Sequence, residues 1–255
     1  MSSHSLQNKK IIISAGASGI GWATTKVCVA KGALVYLCDI DLKAINKVKK
    51  HPLYNKRIFV SEADASDETQ VIDFFNKIKR KFKNLDALIN NVGIEGPTKP
   101  IEKLESNEWE NTLHVNVNSH FYFTKFSIPL LKNNNGGSIS NLSSTAGLFG
   151  FPLRSPYATS KWAIIGMTKT LAVELGENNI RVNAICPGSV AGDRMKKVIE
   201  AKAKSLGVKK ESLQKDFESM LSLKSFVDKK DIANMAVFLL SEEARKISGQ
   251  VMTVD

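Results

Sequence analysis

The chain has 255 residues, of which 43% are hydrophobic, and a formal net charge of +11. This length and composition allow one large domain or two small ones, and we favour a single domain over residues 1–255 because no repeat or linker divides the chain. The lysines are scattered along amphipathic stretches without interleaved aromatic residues, which argues against a nucleic-acid-binding protein.

The three cysteines, Cys28, Cys38 and Cys186, lie far apart in apolar segments. We therefore expect reduced thiols rather than a disulfide framework, and no metal site. The apolar run at residues 11–13 is too short for a signal peptide or a membrane span. These features predict a cytoplasmic protein with no membrane partner.

Short apolar runs alternate with longer amphipathic stretches along the whole chain. The runs predicted as strands are residues 10–15, 34–39, 58–64, 85–90, 138–143, 181–187 and 250–255. Helical patterns lie between them, for example at residues 71–82 and 108–131. This alternation predicts right-handed crossovers and an α/β fold with one doubly wound parallel sheet of about seven strands, in which ligands bind at the carboxyl ends of the strands.

A glycine-rich loop with the sequence SAGASGIG occupies residues 14–21, between the first strand and a helical run at 22–30. Glycines let a backbone approach a pyrophosphate closely, and the start of the following helix attracts its charge. An ordinary tight turn is the alternative. The position between strand and helix favours dinucleotide binding.

Asp39 closes the second predicted strand, 18 residues after Gly21. A carboxylate there can accept hydrogen bonds from an adenosine ribose and would repel a 2′-phosphate, which favours NAD. Ser18 agrees with NAD, because no Arg or Lys in the loop could receive the extra phosphate. The alternative is that Asp39 caps the helix beginning near Asp41.

A hydroxyl, a phenol and an ammonium follow one another at Ser144, Tyr157 and Lys161. Tyr157 and Lys161 are four residues apart and share one face of a helix. Such a pair can arise by chance in a lysine-rich chain, so it carries weight only together with the other motifs.

Together these motifs resemble the short-chain dehydrogenase/reductase family, whose members of about 250 residues match over nearly the whole chain. The matching positions, in chain order, are the glycine-rich loop, Asp64, the segment Asn90-Asn91-Val92-Gly93, Asn116, Ser144, Tyr157, Lys161, Asn183, Pro187 and Gly188. The resemblance implies a Rossmann fold and an oxidoreductase that transfers a hydride between a secondary alcohol and NAD. It also implies a homotetramer or dimer formed through the long helices at 108–131 and 156–175.

The resemblance implies a role for each matching residue. The catalytic residues would be Asn116, Ser144, Tyr157 and Lys161. The cofactor would contact Ala15, Ala17, Ser18, Gly19, Ile20 and Asp39 at the first two strands, Asp64 and Ala65 beside adenine, Asn91 and Gly93 beside the ribose, Tyr157 and Lys161, and Pro187, Gly188 and Val190 beside the nicotinamide carboxamide.

In the implied mechanism Tyr157 takes the hydroxyl proton while hydride leaves the carbon. A free tyrosine has a pKa near 10 and is a poor base at neutral pH, so its pKa must fall by about 2 to 3. One cation at about 4 Å supplies about 4 kcal/mol at an effective dielectric constant near 20, which is enough for Lys161 to lower it. Ser144 would hold the substrate oxygen, and Asn116 would hold a water that relays protons through Lys161.

Three positions depart from the family pattern. Ala15 replaces a loop glycine, which costs little if its φ is negative. Val92 replaces a common alanine. Gly192 stands where a threonine often contacts the carboxamide.

The segment at residues 189–228, with helical stretches at 194–204 and 211–223, predicts a lid over the substrate. Arg154 and Arg194 could converge on an anionic group, and Glu95 could face the pocket mouth. We therefore expect a small hydroxy acid, a hydroxysulfonate or a sugar-like alcohol as the substrate. The alternative for the arginines is a salt bridge at a surface or interface.

Two other functions stay open. The first is a 3-oxoacyl-(acyl-carrier-protein) reductase, whose acidic carrier the basic surface could receive, although Asp39 argues against the NADPH that such enzymes usually use. The second is a catalytically silent binding protein. His114 and His120, which flank Asn116, are expected to be packed or surface residues rather than catalytic ones.

Overall fold

Seven strands form the centre of the computed structural model, which describes residues 5–221 and 223–255, except for the side chains of residues 194 and 220. The strands are β1 (Lys10–Ile13), β2 (Leu34–Asp39), β3 (Ile58–Glu62), β4 (Ala87–Asn90), β5 (Gly137–Leu142), β6 (Ile180–Pro187) and β7 (Val251–Val254). All pair in parallel, in the order β3-β2-β1-β4-β5-β6-β7. The predicted seven-stranded doubly wound sheet is confirmed.

The helices that connect the strands cover both faces of the sheet. They are α1 (Gly19–Ala30), α2 (Leu42–Lys49), α3 (Glu68–Lys81), α4 (Ser106–Leu113), α5 (Ser119–Lys132), α6 (Ser155–Glu174), α7 (Asp193–Leu206), α8 (Lys210–Met220) and α9 (Lys229–Leu240). Consecutive strand residues point to opposite faces, so Ile11 and Ile13 pack in the core beside α1 and α9, while Ile12 packs in the core beside α3 and α5. A strand buried on both faces is continuously apolar for this reason.

The long helix predicted over residues 108–131 is interrupted. A π turn at His114–Asn118 separates α4 from α5, and the three segments follow one another without a loop. The periodicity of apolar residues does not reveal one extra residue in a turn, because the helical face shifts only locally. Single π turns occur frequently at functional sites, and this one contains Asn116.

The segment predicted as a lid contains α7 and α8, which pack around Ile199, Ala203, Leu213 and Phe217. α8 ends at Met220, three residues before its predicted end. The base of the segment is closed by backbone hydrogen bonds between residues 189–191 and Val227. The segment is therefore a small helical unit with an apolar centre of its own, against which Phe151 also packs.

Two of the expectations from the sequence concern the state of the cysteines and the presence of membrane-spanning helices. Cys28, Cys38 and Cys186 are buried and free, and burial raises the pKa of the Cys28 and Cys38 thiols to about 12. Among the helices that the structure describes, none has the length and apolarity needed to cross a bilayer.

Candidate active site

The glycine-rich loop connects β1 to α1 at the carboxyl edge of the sheet. Gly21 is required there, because a Cβ atom added to it would collide with the Ala15 carbonyl oxygen and lie 2.6 Å from the Asn91 amide nitrogen. Ser18 is exposed and does not cap α1 among the described hydrogen bonds, and the first turn of α1 has no acidic residue. The first amide groups of α1, next to Gly19 and Ile20, are therefore suited to bind a phosphate.

Ala15 does not meet the condition under which its substitution for glycine would cost little. Its φ is +50°, in the left-handed region that disfavours a Cβ atom. The Asn91 amide donates to the Ala15 carbonyl oxygen over 2.9 Å, which helps to hold this conformation. Backbone strain is therefore built into the loop at the edge of the site.

Asp39 ends β2 with a buried carboxylate. One carboxylate oxygen accepts a hydrogen bond from the Ala17 amide at 3.0 Å, and the other accepts one from the Asp41 amide at 3.1 Å. Each oxygen keeps capacity for a further bond, as recognition of a ribose requires. The alternative role is wrong, since Asp41 caps α2 by accepting bonds from two backbone amides.

The sequence reasoning missed Ile40, which follows Asp39 and is 67% exposed. An exposed isoleucine beside the Asp39 carboxylate offers an apolar surface that a flat adenine ring could cover. Two residues beyond β3, the half-buried Asp64 carboxylate accepts two hydrogen bonds from Ser66, next to the buried Ala65. The signal that could have found Ile40 is a large apolar residue directly after the strand-ending acid.

Asn91 and Gly93, which follow β4, have different surroundings. Asn91 is tied to the glycine-rich loop, since its backbone amide donates to Ser14 Oγ and its side chain to the Ala15 carbonyl. Gly93 lies against Lys161 and Asn116, because a Cβ atom added there would be 3.2 Å from Lys161 Nζ and 3.5 Å from Asn116 Oδ1. Asn91 therefore supports the cofactor loop, and Gly93 leaves room for Lys161.

Asn116 is fully buried in the π turn. Its side chain accepts a 2.7 Å hydrogen bond from the Ile94 amide and donates to the Ile94 carbonyl oxygen at 3.1 Å and to Ser160 Oγ at 3.0 Å. It therefore joins the loop after β4 to α6, the helix that carries Tyr157 and Lys161.

Lys161 is 4% exposed, and its Nζ donates to the Leu142 carbonyl oxygen at the end of β5 over 2.9 Å. The same Nζ lies 5.7 Å from the centre of the Tyr157 ring. A cation therefore lies beside the Tyr157 ring, farther from the ring centre than the 4 Å assumed from the sequence. Both residues lie on one face of α6, as their spacing predicts.

Ser144 lies just beyond β5, at the start of a short 3-10 turn at Thr145–Gly147. The turn packs directly on α6, since a Cβ atom added at Gly147 would be 2.8 Å from the Lys161 carbonyl oxygen and from Ser143 Oγ. Ser143 donates to that same carbonyl oxygen. Glycine at position 147 therefore allows the Ser144 segment to approach the helix of Tyr157 and Lys161.

A family model described as enoyl-(acyl carrier protein) reductase matches residues 14–255, nearly the whole chain. The chain belongs to the short-chain dehydrogenase/reductase family. It is an oxidoreductase of the kind that acts on CH–OH groups.

Other members of the family resemble this chain over their full length. A 3-oxoacyl-(acyl-carrier-protein) reductase of Thermotoga maritima is 32% identical over 251 residues, which cover 98% of this chain and 97% of that protein. A D-beta-hydroxybutyrate dehydrogenase of Cupriavidus necator is 30% identical over 253 residues, covering 98% and 97% of the two chains. The crystal structure of an NAD+-bound xylitol dehydrogenase has a TM-score of 0.92 and 27% identity, with 98% of each chain covered.

The segment after β6 differs from the usual family pattern, as the sequence indicated. The Gly188 backbone is in contact with Asp255, whose carboxylate a side chain at position 188 would displace. Gly192 has a φ of +141°, and a Cβ atom there would lie 3.0 Å from Lys229 Nζ. The Lys229 amino group therefore lies beside Gly192, the position where the family often has a threonine. Gly192 follows Pro187 and Val190 closely in the sequence.

Arg154 is only 3% exposed and so does not lie at the surface of the subunit. Its Nη2 donates to the Glu95 carbonyl oxygen at 2.8 Å, and its guanidinium carbon lies 4.9 Å from the centre of the Tyr157 ring. The Arg194 side chain, which the sequence paired with Arg154, lies outside the part of the structure that is described. Arg154 is therefore next to the catalytic phenol, and the Glu95 backbone helps to hold it.

The two histidines of this region are a packed and a surface residue, as expected. His114 is exposed, and its ring contacts the Asn118 side chain. His120 is buried and lies 3.2 Å from the Val92 carbonyl oxygen, which can only accept, so Nε2 carries the proton. Burial first, and the charge of Lys161 second, lower the pKa of His120 to about 3.

An apolar cavity of about 760 Å³ lies on the outer side of α6 and is lined by Phe149, Phe151, Trp162 and neighbouring residues. Neither Tyr157 nor Lys161 lines it, so it is separate from the reacting groups. In residues 5–221 and 223–255, no cluster of three or more His, Cys, Asp or Glu side chains is arranged to hold a metal ion.

Gly147→Ala is expected to destabilise the protein by about 1 to 3 kcal/mol, because the new methyl group collides with backbone atoms of α6. The collision also moves Ser144 away from Tyr157, so kcat should fall. Urea unfolding and steady-state kinetics measure both effects. Gly150→Ala is the matched control, since a Cβ atom there meets nothing within 4 Å. Equal behaviour of the two variants would contradict the packing argument.

The buried neutral His120 should make folding weaker in acid. Its folded pKa of about 3 lies below the unfolded value of 6.5, so the unfolded chain binds the extra proton between these values. The free energy of unfolding should therefore fall as the pH drops through this window, by at most about 1.4 kcal/mol per pH unit from this residue. Urea unfolding of His120→Gln should show a shallower decline than the natural protein. Identical slopes would contradict the assignment.

Proposed function

We propose that this enzyme transfers a hydride between a secondary alcohol and NAD, with Tyr157 as the residue that exchanges the hydroxyl proton. The observation that carries the proposal is the buried Lys161 ammonium beside the Tyr157 ring, at the same sheet edge as the glycine-rich loop and Asp39. A buried cation favours the ionised phenol, as a general base near neutral pH requires.

Each side chain that takes part in the proposed mechanism has a defined role. Tyr157 accepts the proton of the substrate hydroxyl, and Lys161 stabilises the resulting negative charge. Ser144 donates a hydrogen bond to the substrate oxygen and orients it. Asn116 keeps the loop after β4 joined to α6 through Ile94 and Ser160, so that Lys161 stays in place. In the proposed mechanism, a water beside Asn116 relays protons through Lys161 to solvent. When bound, NAD supplies the hydride acceptor.

The preference for NAD is proposed from the start of α1 and the end of β2. The Asp39 carboxylate would repel a 2′-phosphate, and the loop has Ser18 where a basic residue would be needed to bind one. The similarity to an NAD+-bound xylitol dehydrogenase supports the same cofactor. The contacts implied for Asp64, Ala65, Pro187, Gly188 and Val190 belong to this proposal.

For the substrate we propose a small hydroxy compound with an anionic group, a hydroxy acid or hydroxysulfonate. The support is the Arg154 guanidinium beside Tyr157 and the similarity to a D-beta-hydroxybutyrate dehydrogenase, whose name specifies a hydroxy acid. The expected substrate contacts of Arg194 and Glu95 belong to this proposal. A sugar-like alcohol is the neutral alternative. The segment at 189–228 would close over the substrate as a lid.

A 3-oxoacyl-(acyl-carrier-protein) reductase is the second candidate function. It is supported by the similarity to the Thermotoga maritima reductase and by the net charge of +11, which suits an acidic carrier. Asp39 argues against it if the reaction requires NADPH.

For the assembly we propose a cytoplasmic homotetramer or dimer. Phe121 on α5 and Trp162 and Val173 on α6 are large apolar side chains that are between 49% and 83% exposed. A second copy of the chain would cover them, and one domain over residues 1–255 would form each subunit.

A panel of neutral alcohols and hydroxy acids, assayed separately with NAD and NADP, should give NADH formation with at least one hydroxy compound and little activity with NADP. With that substrate, Tyr157→Phe should lower kcat by about a thousandfold or more, because the phenol that accepts the proton is lost. Binding of NAD, measured by titration calorimetry, should remain.

The control for this experiment is Tyr122→Phe, which removes a phenol on α5. Near-normal turnover by Tyr157→Phe would overturn the mechanism. A strong preference for NADPH and 3-oxoacyl thioesters would favour the second candidate function instead.

Arg154→Gln should raise the KM for 3-hydroxybutyrate and other anionic substrates by about tenfold or more, because the positive partner of the carboxylate is lost. The KM for a neutral alcohol such as xylitol should change much less. Steady-state kinetics at saturating NAD measure both values. Equal changes for charged and neutral substrates would remove the case for an anionic substrate.

A further inference from the structure

We propose that Arg154 is a second cation that stabilises the deprotonated form of Tyr157, acting through the aromatic ring from outside the Tyr157–Lys161 pair. The inference rests on the proposed function, in which Tyr157 exchanges the substrate proton. Besides the contact with a substrate anion proposed above, Arg154 is here a positioning residue, because it also acts through Tyr157 whatever the charge of the substrate.

The distances place both cations close to the same ring. The guanidinium carbon of Arg154 is 4.9 Å from the centre of the Tyr157 ring, and Lys161 Nζ is 5.7 Å from it. Arg154 and Lys161 are both almost completely buried. The arginine is thus the nearer of the two charges to the ring, although the spacing of Tyr157 and Lys161 points only to the lysine.

A cation over the ring can act on a tyrosinate because the negative charge of a phenolate is spread into its ring. Attraction between a guanidinium and an aromatic face, already favourable for neutral tyrosine, increases when the ring becomes anionic. Coulomb energy varies inversely with distance, so at one dielectric constant the two cations act on the ring with similar strength. Burial limits the screening of both by solvent and salt.

The fold holds Arg154 in this place from several sides. Its Nη2 is fixed on the Glu95 carbonyl oxygen, and Phe151 lies 5.9 Å from its guanidinium carbon. The preceding residue, Leu153, has a φ of +67°, an unfavourable conformation for leucine, and its carbonyl oxygen accepts a hydrogen bond from the Lys99 amide. Strain of this kind persists only where the surrounding structure imposes it, and here it directs the chain inward just before Arg154.

Other titratable groups surround the pair and must be considered in any pH measurement. Glu95 lies in the loop after β4, and Lys202 on α7 is 5.6 Å from the Phe151 ring. His120 on α5 interacts with Lys161 but stays neutral above about pH 3. Ionisation of Tyr157 should therefore be measured well above the pH at which carboxylates and His120 titrate.

The test is an ultraviolet titration of tyrosinate, which needs no substrate. The chain has four tyrosines, so the difference between each protein and its counterpart carrying Tyr157→Phe isolates Tyr157. Arg154→Gln keeps a donor for the Glu95 carbonyl but removes the charge, and Tyr157 should then ionise about one pH unit higher. Arg154→Lys keeps a charge and should restore most of the difference. Thermal unfolding and NAD binding by calorimetry establish that the variants are folded.

Kinetics give an independent readout. With a neutral alcohol substrate, the acidic limb of the pH profile of kcat/KM should move to higher pH in Arg154→Gln. A shift of one pH unit lowers kcat/KM about tenfold on that limb, and kcat/KM should return to the value of the natural protein at alkaline pH. An equal loss at every pH, or an unchanged tyrosinate titration in a folded and active Arg154→Gln protein, would overturn the inference while leaving the proposed function intact. By contrast, full activity of Tyr157→Phe would overturn the proposed function itself.

Discussion

The hydrogen bond from Lys161 Nζ to the Leu142 carbonyl oxygen is the contact on which the arrangement of this site depends. An ammonium that is 4% exposed needs a hydrogen-bond acceptor, because leaving a buried charge without one costs several kcal/mol. Here the acceptor is the carbonyl at the end of β5, so the requirement joins α6 to the central sheet. It thereby sets the position of Tyr157, one turn earlier on the same helix.

The contacts around this hydrogen bond are close enough to exclude larger side chains. Gly93 lies on one side of the Lys161 ammonium, and Gly147 lies against the Lys161 carbonyl on another. The Asn116 amide joins the loop after β4 to Ser160, next to Lys161 in sequence. The groups that would act on a substrate are therefore fixed by the loops after β4 and β5, by the π turn and by α6. Rigid support of this kind keeps reacting groups in position without cost at the moment of reaction.

The glycine-rich loop, at the same edge of the sheet, is held in a similar way, because side chains form hydrogen bonds with its backbone groups. Asp39 at the end of β2 holds the Ala17 amide, and Asn91 after β4 holds the Ala15 carbonyl. Both contacts position the glycine-rich loop, and the Asn91 contact helps to maintain the left-handed Ala15. Polar residues at strand ends thus position the loop, in addition to any contact with a ligand. Asp39 has this role, whereas Asp41 caps α2.

The sequence by itself determined the seven strands, the parallel sheet, the glycine-rich loop and the spacing of Ser144, Tyr157 and Lys161. These features depend on local periodicity and on residue chemistry, which are written in the order of residues. Only the tertiary structure decided the π turn at Asn116, the positive φ of Ala15 and Leu153, and the burial of Arg154 against Tyr157. Each of these results from contacts between segments far apart in the chain, and the periodicity within any one segment contains no information about them.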